Sequence, residues 1–113
     1  MKYDFRPSPD FIKGVKALAK RYPSLKTDLQ ELRNSLEQNP EQGIDLGGGL
    51  RKVRLNIRSK GRGKAGGARV ITFNIIISKS DMVIALVYIY DKADASSVKN
   101  DVMRSIVKEM GLL

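Results

Sequence analysis

The 113-residue sequence predicts a single α+β domain, residues 1–113, with an N-terminal strand, a helical hairpin, a three-stranded antiparallel meander and a short C-terminal helix. Three observations predict this class. Apolar residues recur at helical spacing in the first half, and they alternate or form continuous runs in the second half. A glycine-rich basic stretch separates two of the strand-like runs. With 42% hydrophobic residues, a chain of this length buries one core and not two.

The N-terminal strand and the first helix follow from local patterns. Residues 2–6 alternate polar and apolar side chains, so Tyr3 and Phe5 are expected to face inward. Ser8 is placed to cap a helix whose first position is Pro9, a residue that suits the first turn. The buried face of this helix is predicted from helical spacing: Phe11, Val15, Leu18, Ala19 and Tyr22.

A second helix is predicted after Pro23 and Ser24, which break the first one. Its leucines follow the spacing i, i+4, i+7, i+11: Leu25, Leu29, Leu32 and Leu36. The stripe is too short for a coiled coil, so it is interpreted as core. The sequence NPEQG, residues 39–43, ends the helix.

The second half is predicted to form the meander. Residues 50–58 alternate, with Val53, Leu55 and Ile57 on one face and Lys52, Arg54, Asn56 and Arg58 on the other. Residues 68–77 and 82–90 are the next strands, and the last of them is apolar enough to be central. From Asp94 or Ser96 onward a final helix is expected, with this apolar face: Val98, Val102, Ile106 and Met110.

The net charge of +9 is concentrated in one segment. Residues 47–70 contain eight Lys and Arg and no Asp or Glu, whereas the flanking segments are nearly balanced. Such concentration indicates a polyanion-binding surface, because neighbouring like charges repel one another unless a partner neutralises them. The alternative interpretation is a solvated basic hairpin that serves solubility.

Composition also excludes several classes of function. Without cysteine there is no disulfide or thiolate metal site, and without histidine the commonest general base and zinc ligand is missing, so no metal or cofactor is expected. No run resembles a signal peptide or a membrane span. We therefore expect a soluble, cytoplasmic protein.

The basic loop favours RNA as the polyanion. GRGKAGG is not a nucleotide-binding P-loop, because no Ser or Thr follows Gly-Lys and a strand, not a helix, comes next. A pliable loop beside a cationic strand suits the irregular phosphates of single-stranded RNA. The predicted RNA contacts are cationic residues of the strand and loop: Arg51, Arg58, Lys60, Arg62 and Lys64.

The order of elements resembles that of the RelE/ParE superfamily of bacterial toxins. Three sequence runs carry the resemblance: GLRKVRL, SKGRGKAGGARVITF and VYIYDKAD. The basic loop most resembles the HigB-like branch of that superfamily. The resemblance implies a RelE-like fold and a toxin of a toxin–antitoxin pair that cuts mRNA on the ribosome and inhibits translation. It also implies a cognate antitoxin as partner, with DNA reached only through the antitoxin complex, and no membrane.

RNA cleavage by attack of the 2′-hydroxyl needs a base, cations for the phosphate and an acid for the leaving oxygen. Like charges nearby favour the neutral form of a lysine, so Lys52 is the candidate base, with Arg54 and Arg69 holding the phosphate. These three residues match basic positions of the family's pattern. Lys92 matches a further one and is assigned charge stabilisation or proton donation.

The sequence departs from the family pattern at two points. Related ribonucleases often carry a catalytic tyrosine near the C-terminus, and here none follows Tyr90. Alternation also places Arg69 on the face of Ile71 and Phe73, toward the core, unless it lies at a loop junction or a bulge. Two other functions stay open: a ParE-like inhibitor of DNA gyrase without catalysis, and an inert basic RNA-binding module.

Overall fold

The computed structural model describes residues 1–60 and 66–113. Within these residues the chain forms three helices and one five-stranded mixed sheet. The strands are β1 (Lys2–Pro7), β2 (Ile44–Gly47), β3 (Leu50–Leu55), β4 (Ala68–Ile76) and β5 (Asp81–Asp91). The helices are α1 (Pro9–Arg21), α2 (Leu25–Gln38) and α3 (Asn100–Glu109). No helix in the described part of the chain is long and apolar enough to cross a membrane.

The strand order in the sheet is β1-β5-β4-β3-β2. β3, β4 and β5 pair antiparallel as predicted, while β1 pairs parallel to β5 along one edge. The sequence analysis did not predict β2, which adds an antiparallel strand at the other edge. The predicted meander is therefore the middle of a wider sheet. Between Ile71 and Thr72 the partner in β5 changes from Tyr88 to Leu86, so Val87 is the extra residue of a bulge in β5.

Two hydrophobic clusters cover the two faces of the sheet. Under α1 and α2, the cluster includes Leu18, Leu25, Leu36, Val53 and Ile84. On the opposite face, α3 packs against Leu50, Ile71, Phe73 and Val87 through Met103, Ile106 and Val107. The two helices of the hairpin and the third helix thus lie on opposite sides of one sheet.

The predicted cap of α1 is confirmed. Ser8 Oγ accepts a hydrogen bond of 2.9 Å from the Phe11 N–H and donates one of 2.6 Å to the Val87 carbonyl. Because the Ser8 N–H also bonds the Leu86 carbonyl at 2.9 Å, the cap attaches the start of α1 to β5. One buried serine therefore fixes how the helical hairpin meets the sheet.

Two predicted boundaries were wrong. β3 ends at Leu55, and Arg58–Lys60 forms a short 3₁₀ turn, so Arg58 does not continue the row of Lys52 and Arg54. The last helix begins at Asn100, later than predicted, and buries Met103, Ile106 and Val107. Val102, predicted to face the core, is 49% exposed. Ile106 is buried as predicted, and Val98 and Met110 pack against the same cluster, so Val102 is the one member of the predicted face that was placed wrongly.

Candidate functional site

The cationic side chains of β3 and β4 meet on the α3 side of the sheet. Val53 and Leu55 are buried under the helical hairpin, so the alternating residues Lys52 and Arg54 face the other way. Arg54 lies directly opposite Arg69 on β4, which in turn lies opposite Tyr90 on β5. Side chains of such directly opposed residues start about 5 Å apart. Two guanidinium groups and a phenol are therefore brought into one row across three strands.

This row opens into a cleft of about 640 Å³. The lining residues come from β3, β4 and the segments that follow α2 and β5: Gln42, Gly43, Ile44, Lys52, Val53, Arg54, Arg69, Lys92 and Ser96. All four residues predicted to be catalytic are among them. Lys52, Arg54, Arg69 and Lys92 supply four positive charges, and no acidic residue lines the described part of the cleft. The cleft is therefore suited to bind an anion.

Arg69 shares its face with Ile71 and Phe73, as alternation predicts, and is 7% exposed. Its Nη1 donates a hydrogen bond of 3.0 Å to the Ala68 carbonyl. The Leu50–Phe73 pair lies under α3, whereas the Arg54–Arg69 pair lies four residues further along the strands, or roughly 13 Å. Arg69 thus reaches the cleft because it lies near the start of β4, at the loop junction, and not through the bulge.

One wall of the cleft depends on a glycine. Gly43 has φ = 92°, a conformation that other residues rarely adopt, and a side chain there would collide with the Lys52 carbonyl oxygen. Arg51 holds this wall in place. Its Nε donates to the Gln42 carbonyl at 3.2 Å and its Nη2 to the Gly43 carbonyl at 3.3 Å. These bonds give Arg51 a structural role in the cleft wall, and its contact with RNA stays a prediction.

Lys60, a second predicted RNA contact, is attached to the buried carboxylate of Asp91. The Lys60 Nζ lies 2.6 Å from Asp91 Oδ1, and the Tyr22 hydroxyl donates to Asp91 Oδ2 at 2.6 Å. The Asp91 side chain is fully buried and that of Lys60 is 13% exposed. This engagement argues against a direct RNA contact by Lys60, which instead anchors the chain where the basic loop begins.

The anchor holds Asp91 in its ionised form. Burial opposes ionisation, but hydrogen bonds from Lys60 and Tyr22, together with one from the Ala93 N–H, outweigh it. They lower the pKa of Asp91 from 3.8 to about 2. On the other side of the loop, the Gly67 carbonyl accepts from the Lys92 N–H at 3.0 Å and from Lys60 Nζ at 3.3 Å. The ends of the loop are thus bound to the segment that carries Lys92.

Arg58, the remaining predicted RNA contact within the described residues, does not line the cleft. Arg58 forms a 2.8 Å ion pair with Glu31 on α2, so it lies on the side of the helical hairpin and its prediction as part of the cationic strand face was wrong. Its side chain is 62% exposed. Arg62 and Lys64 lie outside the described residues.

The hydroxyl of Tyr90 differs from the other polar groups near the cleft. It is buried and has no hydrogen-bond partner among the described residues. Burial raises the pKa of the Tyr90 phenol, and the positive charge of Arg69 partly opposes this. The ring of Tyr88 lies 6.4 Å from that of Tyr90. The phenol therefore stays protonated near neutral pH, where its hydroxyl can donate or accept a hydrogen bond but cannot act as a base.

Sequence reasoning missed several residues of this region. Gln42, Ile44 and Ser96 line the cleft but lie in segments with no periodic pattern that could have placed them. The buried ion pair of Asp91 was only weakly indicated by the sequence. A single acidic residue at the end of an apolar strand suggests a charge that needs a partner. No group of three or more His, Cys, Asp or Glu side chains that could hold a metal occurs in residues 1–60 and 66–113.

The chain is a small α+β protein with a cationic cleft that no acidic side chain among the described residues lines. No family model matches the chain, and no curated protein is significantly similar to it. Its function is therefore inferred from the side chains of the cleft and from the sequence resemblance.

Proposed function

We propose that the protein is a RelE-like toxin of the RelE/ParE superfamily, from the HigB-like branch, and acts as a ribosome-dependent mRNA endonuclease. The observation that carries this proposal is the convergence of four cations on one cleft that no described acidic residue lines: Lys52, Arg54, Arg69 and Lys92. They come from three separate segments: Lys52 and Arg54 from β3, Arg69 from β4 and Lys92 from the segment after β5. A basic surface kept only for solubility does not require such convergence.

In the proposed reaction the two arginines bind the phosphate. Arg54 and Arg69 lie opposite each other on β3 and β4, so a phosphate between them can accept hydrogen bonds from both guanidinium groups. Negative charge grows on the phosphate oxygens as the 2′-oxygen attacks the phosphorus. The arginines stabilise this charge most strongly in the transition state, because the negative charge on the phosphate oxygens is greatest there.

Lys52 is the proposed general base. It lies two residues before Arg54 on the same face of β3, on the cleft side. Lys52 takes the proton of the 2′-hydroxyl, the 2′-oxygen forms a bond to phosphorus, and the bond to the 5′-oxygen breaks. Lys92 lies across the cleft and protonates the leaving 5′-oxygen. The products are a 2′,3′-cyclic phosphate and a free 5′-hydroxyl, so neither a metal nor a redox cofactor is needed.

The proposed partners are the ribosome with its mRNA and a cognate antitoxin, and the proposed location is the cytoplasm. These follow from the resemblance. The ParE-like and inert alternatives predict different outcomes in the same assay, because neither one needs a base at position 52.

Cleavage of mRNA on translating ribosomes tests the proposal. Lys52→Ala, Arg54→Ala and Arg69→Ala should each lower cleavage by about a hundredfold to ten-thousandfold, the usual contribution of a general base or a charge-stabilising group. Lys52→Arg should be nearly as damaging as Lys52→Ala, because a guanidinium keeps the charge but does not release its proton near neutral pH. Lys79→Ala is the matched control, since Lys79 is an exposed lysine on the β4–β5 turn.

Each outcome has one meaning. Full activity of Lys52→Arg would show that position 52 supplies charge only, and the base would have to be sought elsewhere. If the wild type and the variants all bind RNA but none of them cuts it, the inert RNA-binding module would be favoured. Alanine variants that stay toxic and arrest DNA replication would favour the gyrase inhibitor.

A further inference from the structure

The segment that carries Lys92 is held in place through its backbone. Lys92 lines the cleft, but its ammonium makes no hydrogen bond or ion pair with any described residue. The Lys92 N–H donates to the Gly67 carbonyl at 3.0 Å. The next N–H, that of Ala93, donates to Asp91 Oδ1 at 2.9 Å. The position of the Lys92 side chain at the cleft therefore depends on these two backbone bonds.

The Asp91 carboxylate is the centre of this attachment. In addition to that N–H, it accepts hydrogen bonds of 2.6 Å from Lys60 Nζ and from the Tyr22 hydroxyl. Lys60 Nζ also donates to the Gly67 carbonyl at 3.3 Å, so one ammonium joins the two acceptors that hold the Lys92 segment. Because the Asp91 side chain is fully buried, these protein groups replace water around the carboxylate. Both backbone bonds therefore depend on one buried carboxylate.

We propose that Asp91 is a positioning residue of the reaction, because its buried carboxylate fixes the backbone of Lys92 and thereby directs the Lys92 ammonium toward the cleft. This role rests on the proposed function, in which Lys92 protonates the leaving 5′-oxygen. Asp91 does not itself line the cleft, so it acts on the reaction only through Lys92. Misplacement of a catalytic group by about 1 Å can lower a rate about a hundredfold, so a small shift of this segment is enough to be measured.

Asp94 is a nearby carboxylate that lacks this role. Its side chain is 59% exposed and pairs with Arg21 at 3.0 Å. Among the described residues, no backbone N–H donates to the Asp94 carboxylate, so it does not fix the chain beside Lys92. Asp94→Asn is therefore the matched control, with the same chemical change at nearly the same distance along the chain from Lys92.

Two double variants separate the acceptor oxygen of Asp91 from its charge. Asp91→Leu/Lys60→Met replaces the buried ion pair by apolar side chains of similar size and removes the acceptor for the Ala93 N–H. Asp91→Asn/Lys60→Met removes the same charges but keeps an acceptor oxygen. In ribosome-dependent cleavage of mRNA, kcat should fall about tenfold or more in the first variant and stay within about threefold of the wild type in the second. Asp94→Asn should keep the wild-type kcat. KM should change less than about twofold in all three, because the arginines of the cleft still bind the phosphate.

The same changes in a Lys92→Ala background distinguish positioning from stability. If Asp91 acts through Lys92, Asp91→Leu/Lys60→Met should cost less than about twofold once the lysine is removed. Tyr22→Phe keeps the buried ion pair, so it serves as a second variant if the double one does not fold. It should lower kcat about threefold in the native background and not at all in Lys92→Ala. A loss that persists undiminished without Lys92, or full kcat in Asp91→Leu/Lys60→Met, would overturn the positioning role.

Amide hydrogen exchange, followed by NMR in the full-length protein without RNA, tests the positioning apart from catalysis. The Lys92 and Ala93 amides should exchange at least about tenfold faster in Asp91→Leu/Lys60→Met than in the wild type, measured against the amides of β4. Asp94→Asn should change both rates less than about twofold. Unchanged protection of both amides would refute the positioning, whatever the cleavage assay shows. A wild type that cuts no RNA, with the exchange result as expected, would instead refute the proposed function alone.

Discussion

The buried pair of Asp91 and Lys60 gives the sharpest prediction about stability. Asp91→Asn removes the only negative charge within reach of Lys60 Nζ in the described structure, at a site where the Asp91 side chain is fully buried and that of Lys60 is 13% exposed. Breaking such a pair leaves an uncompensated buried charge, which costs about 3 to 5 kcal/mol. We therefore expect Asp91→Asn to lower the free energy of unfolding by that amount in urea denaturation at pH 7.

The neighbouring Asp94 is the matched control. Asp94 forms an ion pair of 3.0 Å with Arg21, but the Asp94 side chain is 59% exposed. An exposed ion pair contributes about 0 to 1 kcal/mol, so Asp94→Asn should have little effect. The double variant Asp91→Asn/Lys60→Met should recover a large part of the loss, because it removes the charge and its unpaired partner together.

The same pair predicts how stability depends on pH. The pKa of Asp91 falls from 3.8 to about 2 on folding, so the ionised form stabilises the native state above pH 4. That contribution, about 2 kcal/mol, is lost as the pH falls from 4 toward 2, and the loss should be absent in Asp91→Asn. If Asp91→Asn were no less stable than Asp94→Asn, or if it kept the acid-induced loss, the buried pair would not stabilise the fold as described.

Three further predictions concern the cleft and the sheet. The logarithm of the RNA-binding constant should fall with the logarithm of the salt concentration with a slope of about −3, if each of the four cations neutralises one phosphate of a single strand. Lys92→Ala should make this slope shallower by about 0.7. A binding constant that does not change with salt would contradict the anion site. Tyr90→Phe should leave the free energy of unfolding unchanged or raise it by up to about 1 kcal/mol in urea denaturation, because the hydroxyl has no partner among the described residues; a clear loss would show that it has one. Ser8→Ala should lower the melting temperature with a loss of about 1 to 2 kcal/mol, since it removes the cap of α1 and the bond to Val87, whereas Ser105→Ala on the exposed side of α3 should not.

Alternation in β3 allowed much of the cleft to be predicted. Because Val53 and Leu55 are apolar, alternation places Lys52 and Arg54 together on the opposite face. Alternation alone directs Arg69 toward the core, and the family resemblance assigned it to the phosphate. The neighbouring Arg51 could not be assigned in this way. Its role depends on the carbonyls of Gln42 and Gly43, which β2 brings alongside β3, and β2 is an edge strand of four residues without a hydrophobic pattern.

Two other features depend on long-range contacts that periodicity does not encode. Lys60 has the sequence context of a solvated cation, and only the end of β5 shows that a buried carboxylate meets it. In α3, Val102 and Met103 are adjacent apolar residues that point about 100° apart around the axis, so the rotation of the helix against the sheet decides which of them is buried. Tertiary packing determines both the partner of Lys60 and the residue of α3 that is buried.

The parallel pairing of β1 with β5 also determines when the protein can fold. The Ser8–Val87 bond closes a loop of 79 residues, and the hairpin formed by α1 and α2 packs on strands that are synthesised after it. While the ribosome is still making β3 and β4, the leucine face of that hairpin has no sheet to cover it and the edge of β1 has no neighbour. Closing so long a loop is slow, and exposed apolar surface invites association with other chains in the meantime. Growing chains therefore have to complete β5 before any of their earlier elements become stable.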